Sequence, residues 1–254
     1  MHRFYAPGFV LQQEVPLPDA EAHHLAKVMR LKEGDLVAVF DGLGHEAVAH
    51  VQKIAGRRVT VKAVEKRTTA QEPAIAITLA QALLKGDKMD GVIRDAVMLG
   101  VAAIQPFTSA RTEVAREAVR SGARGRQDRW DRTVIASVKQ CGRAVVPVVH
   151  PTLSLAELLN AERDALCLMF VEPAGVPRGS AEGANTGDSL QSLETRVPAK
   201  ATILVGPEGG WEPQEISDAL EAGVTLVSLG RRVLRADAAG ALAMAVLQYV
   251  WKDY

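Results

Sequence analysis

The chain has 254 residues, 48% of them apolar, and its 30 lysines and arginines balance 30 aspartates and glutamates. That supports a substantial core, in one large domain or a small domain joined to a medium one, and excludes a disordered chain. A formal net charge of zero excludes a uniformly basic protein held to nucleic acid by bulk charge, but leaves open how charge is distributed along the sequence. Two cysteines, Cys141 and Cys167, supply neither a disulfide framework nor a cysteine-based zinc site. The opening MHRFYAP lacks the apolar core of a signal peptide, and no window approaches the roughly 20 apolar residues of a membrane span. A cytoplasmic protein with no membrane contact is expected.

The first 70 residues hold five of the six histidines and several short alternating runs. A helix is predicted over Ala20 to Met29, followed by strands LVAVF at 36–40, HEAVAHV at 45–51 and RRVTVKAV at 57–64. In the last of these Val59, Val61 and Ala63 alternate with Arg58, Thr60 and Lys62, the period-2 pattern of a half-buried antiparallel strand. Asp41-Gly42-Leu43-Gly44 supplies a turn between the first two. This segment reads as a small β-rich domain.

Beyond Pro73 apolar strands alternate with helical stretches. Strands are predicted at 74–80, 101–106, 144–149, 165–171, 201–206 and 224–230, and helices over 87–99 and near 129–140, 154–162, 212–222 and 236–250. In the first helix Met89, Val92, Ile93, Ala96 and Val97 fall at helical spacing. Short, wholly apolar strands between helices predict an α/β fold with a mostly parallel sheet covered on both faces. Residues 175–192, rich in Gly, Ser and Asn, are expected to form a loop.

Residues 1–72 carry 10 basic and 9 acidic side chains and residues 73–254 carry 20 and 21, so neither candidate domain is basic in total, yet from Arg111 to Arg143 nine basic residues stand against four acidic ones. Such a segment either lays arginines along a phosphate backbone or forms a solvated face laced with local ion pairs. The sharpest motif is ILVGPEGGWEPQEI at 203–216, a strand, a glycine turn and a helix start. Glycines there let backbone approach a ligand, but the absence of a Gly-Lys-Ser/Thr sequence and of GxGxxG argues against a nucleoside triphosphate or dinucleotide site. Glu208 in this loop would oppose a phosphate and favour a ligand with positive character or hydroxyl donors. A second loop, LGRRVLRADAAGALA at 229–243, leads into an alanine-rich helix, with Asp237 placed either to cap it or to act in a site. GxSxG and HExxH are absent, and no histidine and carboxylate spacing suggests a metal.

Taken together, MHRFY, HHLAKVMRLKEGDLVAVFDG at 23–42, KGDKMDGVIRDAVMLGVAAIQPF at 85–107, KQCGR at 139–143, LVGPEGGWEPQEI at 204–216 and the 229–243 motif resemble the bacterial 16S ribosomal RNA (uracil-N3)-methyltransferase family, in order and over nearly the whole chain. The resemblance implies a PUA-like β-barrel over 1–70, which helps to place RNA. It also implies a SPOUT methyltransferase domain over 74–254, an α/β domain with a mostly parallel sheet and a C-terminal trefoil knot, dimeric through that domain. It implies S-adenosyl-L-methionine as cofactor and a uridine of 16S rRNA in the small ribosomal subunit as substrate. The implied cofactor residues are Leu204, Gly206, Pro207, Glu208, Gly209 and Gly210 in one loop, with Ser228, Leu229, Gly230, Leu234, Ala236 and Ala239 in the next. Arg235 and Asp237 are the implied catalytic pair, the arginine orienting the base or stabilising its anion and the carboxylate accepting a proton. Arg3, Arg30, Arg111, Arg124, Arg126 and Arg143 are the candidates for RNA contact. The chain departs from the family's common pattern at Asp95, Met98, Lys139, Cys141 and Asp237-Ala238. These departures keep two rivals open: a sister RNA methyltransferase acting at a ribose 2'-hydroxyl, and an RNA-binding assembly protein of weak activity.

Overall fold

A computed structural model describes residues 1–113, 123–161, 166–173, 190 and 192–254, with side chains from residue 125 onward in the helix that begins at 123. Arg116, Arg120 and most of the 175–192 stretch lie outside the described residues. The chain forms two compact units, Met1–Glu72 with Ile135–Val146, and Pro73–Val134 with Pro147–Tyr254.

The first unit is a five-stranded sheet. Its strands are β1 (Arg3–Tyr5), β2 (Glu14–Pro16), β3 (Leu36–Phe40), β4 (Glu46–Ala55) and β5 (Arg58–Arg67), in the order β1-β3-β4-β5-β2. β1 runs parallel to β3, and the other neighbours are antiparallel. β1 and β2 are its two edges, so the ring of hydrogen bonds that a barrel requires is not closed between them. The alternation in β5 buries Val59, Val61 and Ala63 against Phe4, Leu25, Val37 and Val39. Helix α1 (Asp19–His23) is shorter than its sequence pattern, because the next turn, His24–Val28, widens to π geometry.

Residues 135–146, which the sequence pattern leaves with the larger domain, are tied to this sheet by charge. The Arg3 guanidinium donates to Glu46 Oε2 at 2.7 Å and 3.1 Å, and to the carbonyls of Val138, Lys139, Gly142 and Arg143 at 2.6–3.2 Å. Those carbonyls lie at the C-terminal end of helix α3 (Ala123–Cys141), where backbone acceptors lack helical partners and a cation is favoured. Lys139 donates to Glu21, and Arg143 forks onto Glu72 with Nε at 2.9 Å from Oε2.

The second unit is a parallel sheet. Its strands are β6 (Ala76–Ala82), β7 (Ala103–Thr108), β8 (Val148–Val149), β9 (Leu153–Ser154), β10 (Leu166–Phe170), β11 (Lys200–Val205) and β12 (Thr225–Val227). The order is β12-β10-β11-β6-β7-β8, with β9 also beside β7. Every pairing is parallel. β10 is buried at every position, as its unbroken apolar run requires. The predicted strand over 144–149 is split. Val145 bridges Gly42 and Leu43 in the first unit, and β8 begins only after Pro147, which has no N–H to offer a ladder.

Helix α2 (Lys88–Met98) buries the five residues its spacing selects: Met89, Val92, Ile93, Ala96 and Val97. Helices α4 (Leu155–Asn160) and α5 (Pro213–Glu221) each open with a capping box, Ser154/Glu157 and Glu212/Glu215. Helix α6 (Ala236–Trp251) packs Gly240, Ala243, Met244 and Leu247 inward, and a Cβ at Gly240 would sit 3.3 Å from the Leu79 methyls, so glycine lets this helix approach β6 closely. Among the described residues no helix is long and apolar enough to cross a membrane.

Candidate active site

Strands β12, β10 and β11 are neighbours, and their C-terminal ends open into one cleft. This is where a parallel sheet presents ligand-binding loops. Phe170 ends β10 and Val171 to Pro173 follow it, Val205 to Pro207 end β11 and continue to Gly210 and Trp211, and Ser228 and Leu229 follow β12. Arg232, Leu234, Ala236 and Ala239 complete the wall, and the space amounts to about 520 Å³ including the part open to solvent.

Two glycines shape it. A Cβ at Gly206 would lie 2.9 Å from the Trp211 ring, and one at Gly210 would lie 2.8 Å from Glu172 Oε1, where φ is already +70°. Only glycine permits both contacts. Trp211 is fixed in turn: its ring stacks on Phe107 with centroids 5.9 Å apart, and its Nε1 donates to Phe170 O at 2.9 Å.

The turn from Pro207 to Glu212 is held from outside the cleft. Glu208 accepts from Lys88 Nζ at 2.8 Å and from Lys85 N at 3.2 Å, and Arg111 donates to Gly209 O at 2.9 Å. The buried carboxylate of Glu215 accepts from Ala110 N and Glu212 N. Burial alone would raise the Glu208 pKa, but the bonds from Lys88 and the backbone N–H groups outweigh it and hold the carboxyl below its ordinary value.

The first turn of α6 separates two concavities. Leu234, Ala236 and Ala239 face the cleft just described, whereas Arg235, Asp237 and Ala238 face a second groove bordered by Asp87, Lys88, Asp90, Arg94 and Asp95 of the α2 region. Arg235 grips Asp237 through Nε–Oδ1 at 2.9 Å and Nη2–Oδ2 at 2.6 Å. That fork keeps the Asp237 pKa below the usual carboxylate value. Asp237 therefore bonds a side chain rather than capping the helix, whose N-cap is Arg235.

Eight of the twelve cofactor candidates line the cleft: Gly206, Pro207, Gly210, Ser228, Leu229, Leu234, Ala236 and Ala239. Leu204 is only 1% exposed inside the core, and Glu208, Gly209 and Gly230 are not among the lining residues. Glu208 turns to Lys85 and Lys88, so its charge is spent on anchoring the loop. The wall over 170–173 was missed by sequence reasoning, although the apolar run LCLMFV breaking at Glu172-Pro173 marks a strand end of the same kind as that before Gly206.

The arginine candidates divide. Arg3 and Arg143 have side chains only 13% and 6% exposed and are engaged within the first unit, which leaves them little face for a phosphate. Arg30 is exposed, and Arg111 is exposed at the 207–212 turn. Arg126 lies half-buried over the Trp130 ring, and the Arg124 side chain falls outside the described residues.

Comparison with known proteins places these observations. An RNA methyltransferase domain matches residues 70–248, and an RNA methyltransferase PUA domain matches residues 17–64. The chain is 32% identical over 242 residues to ribosomal RNA small subunit methyltransferase E of Synechocystis, covering 94% of this chain and 74% of that protein. Its Bacillus subtilis counterpart is 28% identical, with 96% and 91% covered. Among solved structures, the same methyltransferase from Neisseria gonorrhoeae, bound to S-adenosyl methionine, is 33% identical with a TM-score of 0.82, over 99% of this chain and 98% of that one. A Legionella pneumophila methyltransferase in complex with the bound cofactor SAM is 27% identical with a TM-score of 0.85, over 97% and 96%. With α/β and PUA-like parts both matched, the chain belongs to the bacterial family of small-subunit ribosomal RNA methyltransferases.

Proposed function

We propose that this protein transfers the methyl group of S-adenosylmethionine to N3 of a uridine in 16S rRNA. The observation that carries the reading is the cleft at the ends of β10, β11 and β12, lined by glycine, small and apolar residues without a phosphate cradle. Those residues suit a nucleoside with a sulfonium centre and an amino-acid tail, and two relatives of similar fold hold that cofactor. When bound, the cofactor supplies an electrophilic methyl group on positively charged sulfur.

The chain's own residues do the rest. Gly206 and Gly210 admit the ligand close to backbone, while Pro207, Leu229, Leu234 and Ala239 exclude water from the cleft. Arg235, on the groove side of the α6 turn, orients the uracil and stabilises the negative charge that develops as the N3 proton leaves. Asp237 positions Arg235. Its lowered pKa makes it a weak proton acceptor near neutral pH, which weighs against a role as general base. Arg30 and Arg111, with Arg124 and Arg126, contact RNA phosphates, and the N-terminal unit helps to place the RNA in the small subunit. The exposed stripe Leu242, Ala245 and Tyr249 on α6 supports pairing of two copies through this unit. The pairing of β12 with β10, with chain on both sides of it lining one cleft, is compatible with the SPOUT trefoil knot. The protein acts in the cytoplasm, where its rRNA is.

Mass-spectrometric mapping of 16S rRNA from a strain lacking this gene, before and after the gene is restored, tests the reading. Loss and recovery of 3-methyluridine at one position is expected. An unchanged mark overturns it.

A further inference from the structure

Among the described residues fifteen line the cofactor cleft, and two of these carry a charge: Glu172, after β10, and Arg232, after β12. Both are exposed, and among the described residues neither has a hydrogen-bond or ion-pair partner, so they do not neutralise each other. Glu172 is nonetheless placed. Its Oε1 lies against Gly210, close enough that a Cβ there would stand 2.8 Å away. Every other lining group is apolar, a backbone amide or carbonyl, the Ser228 hydroxyl or the indole N–H of Trp211, which is already spent on Phe170 O.

From this we infer that Glu172 and Arg232 together read the zwitterionic amino-acid tail of the methyl donor, the carboxylate taking its ammonium and the guanidinium taking its carboxylate. The inference rests on the cofactor reading above and deepens it. An adenine and ribose require no charged partner, and the apolar and backbone groups of the cleft serve them. The tail carries one full charge of each sign, and the described lining of the cleft offers one of each. The positions also fit the chain's construction, since the two residues come from the strand ends that flank each other in the sheet, β10 and β12. Arginine suits the carboxylate because its planar fork donates two parallel bonds. A carboxylate at the cleft edge also disfavours ligands that present a phosphate there, which separates this donor from nucleotides.

The test is binding, measured by calorimetry on the full-length protein and on Glu172→Gln and Arg232→Gln. Three ligands are compared: S-adenosylmethionine, its decarboxylated form, and 5'-methylthioadenosine, which has the nucleoside and no tail. Loss of a charge-assisted bond is worth about ten- to hundredfold in affinity. Both variants should therefore bind S-adenosylmethionine about ten- to hundredfold more weakly while binding 5'-methylthioadenosine as the unaltered protein does, which also shows that they are folded. Arg232→Gln should be indistinguishable from the unaltered protein toward the decarboxylated ligand, whereas Glu172→Gln should still lose affinity for it. Equal losses for S-adenosylmethionine and 5'-methylthioadenosine would overturn the inference by assigning the residues to the nucleoside, and unchanged affinity for all three would overturn it outright. If the unaltered protein bound 5'-methylthioadenosine and S-adenosylmethionine equally well, tail recognition alone would fail. If it bound neither, the cofactor reading would fall, and this inference with it.

Discussion

Arg235 and Asp237 meet in a two-bond fork, Nε to Oδ1 at 2.9 Å and Nη2 to Oδ2 at 2.6 Å, on the groove side of the turn whose alternate residues line the cleft at the ends of β10, β11 and β12. A guanidinium held this way is aimed, and the group that aims it is a poor base. Arg235→Ala is expected to slow single-turnover methylation by about 10²- to 10³-fold, the usual loss for a preorganised charge at a developing anion. Affinity for S-adenosylmethionine should stay within about threefold, since the side chain lies outside the cleft proposed to hold it. Asp237→Asn, which keeps one acceptor oxygen, should retain more activity than Asp237→Ala. Equally severe losses in both would reassign Asp237 to proton transfer.

The two close glycine approaches give a separate prediction about the cleft. Gly210→Ala places a methyl against the Glu172 carboxylate at a φ that L-residues avoid, and Gly206→Ala drives one into the Trp211 ring. Overpacking of this kind costs about 1–3 kcal/mol. For a unit of this size that lowers the melting temperature by roughly 2–4 °C per kcal/mol. Both variants should melt earlier, and the stabilisation by added S-adenosylmethionine should shrink. Unaltered melting and unaltered ligand stabilisation would show that the loop relaxes freely.

Local pattern explains which parts of this arrangement are legible in the sequence. The five buried residues of α2 follow from spacing alone, as do Val59, Val61 and Ala63 in β5, because each element has one face to bury. The apolar runs at 166–170 and 200–205 read as strands for the same reason. The other cleft wall did not emerge because Glu172 acquires its meaning from Gly210, 38 residues away in a chain whose β10 and β11 pair in parallel. Arg3 shows the converse. In sequence it is one more arginine near an N-terminus, and only the fold brings it to four carbonyls of residues 138–143 and to Glu46.

That placement separates arginines engaged within the fold from those left exposed, which are the ones proposed to meet RNA. Arg3→Ala removes a fork from Glu46, which is only 5% exposed, and strips donors from the end of α3. Breaking a buried pair from one side costs about 3–5 kcal/mol, reduced here because Arg67 also reaches Glu46 at 3.1 Å. The expected result is a clear loss of stability in denaturant unfolding. Arg30→Ala should leave stability nearly intact, Arg111→Ala should cost about 1 kcal/mol through its lost bond to Gly209 O, and each should lower the slope of log affinity for rRNA against log salt by about 1. A lowered salt slope in a folded Arg3→Ala protein would return that residue to the RNA surface.

Glu208 links the loop to pH. Its carboxyl is held below the ordinary 4.5 despite partial burial, because Lys88 and the backbone N–H of Lys85 stabilise the ionised form. A group depressed on folding contributes stability that is fully present above its unfolded pKa and is lost as pH falls through the folded one. The contribution should therefore be whole well above the ordinary value of 4.5, and should fade as the pH falls past that value toward the lowered folded one. Glu208→Gln keeps an acceptor oxygen but not the charge, and the net loss expected at neutral pH is about 1 kcal/mol, reduced by solvent screening of a partly exposed pair. Melting curves of the two proteins between roughly pH 3 and pH 7 should then lie apart at the neutral end and converge at the acid end. A gap that stayed constant across the range would mean that the carboxylate charge does not hold this turn, and that Lys88 and Glu208 are merely neighbours at the surface.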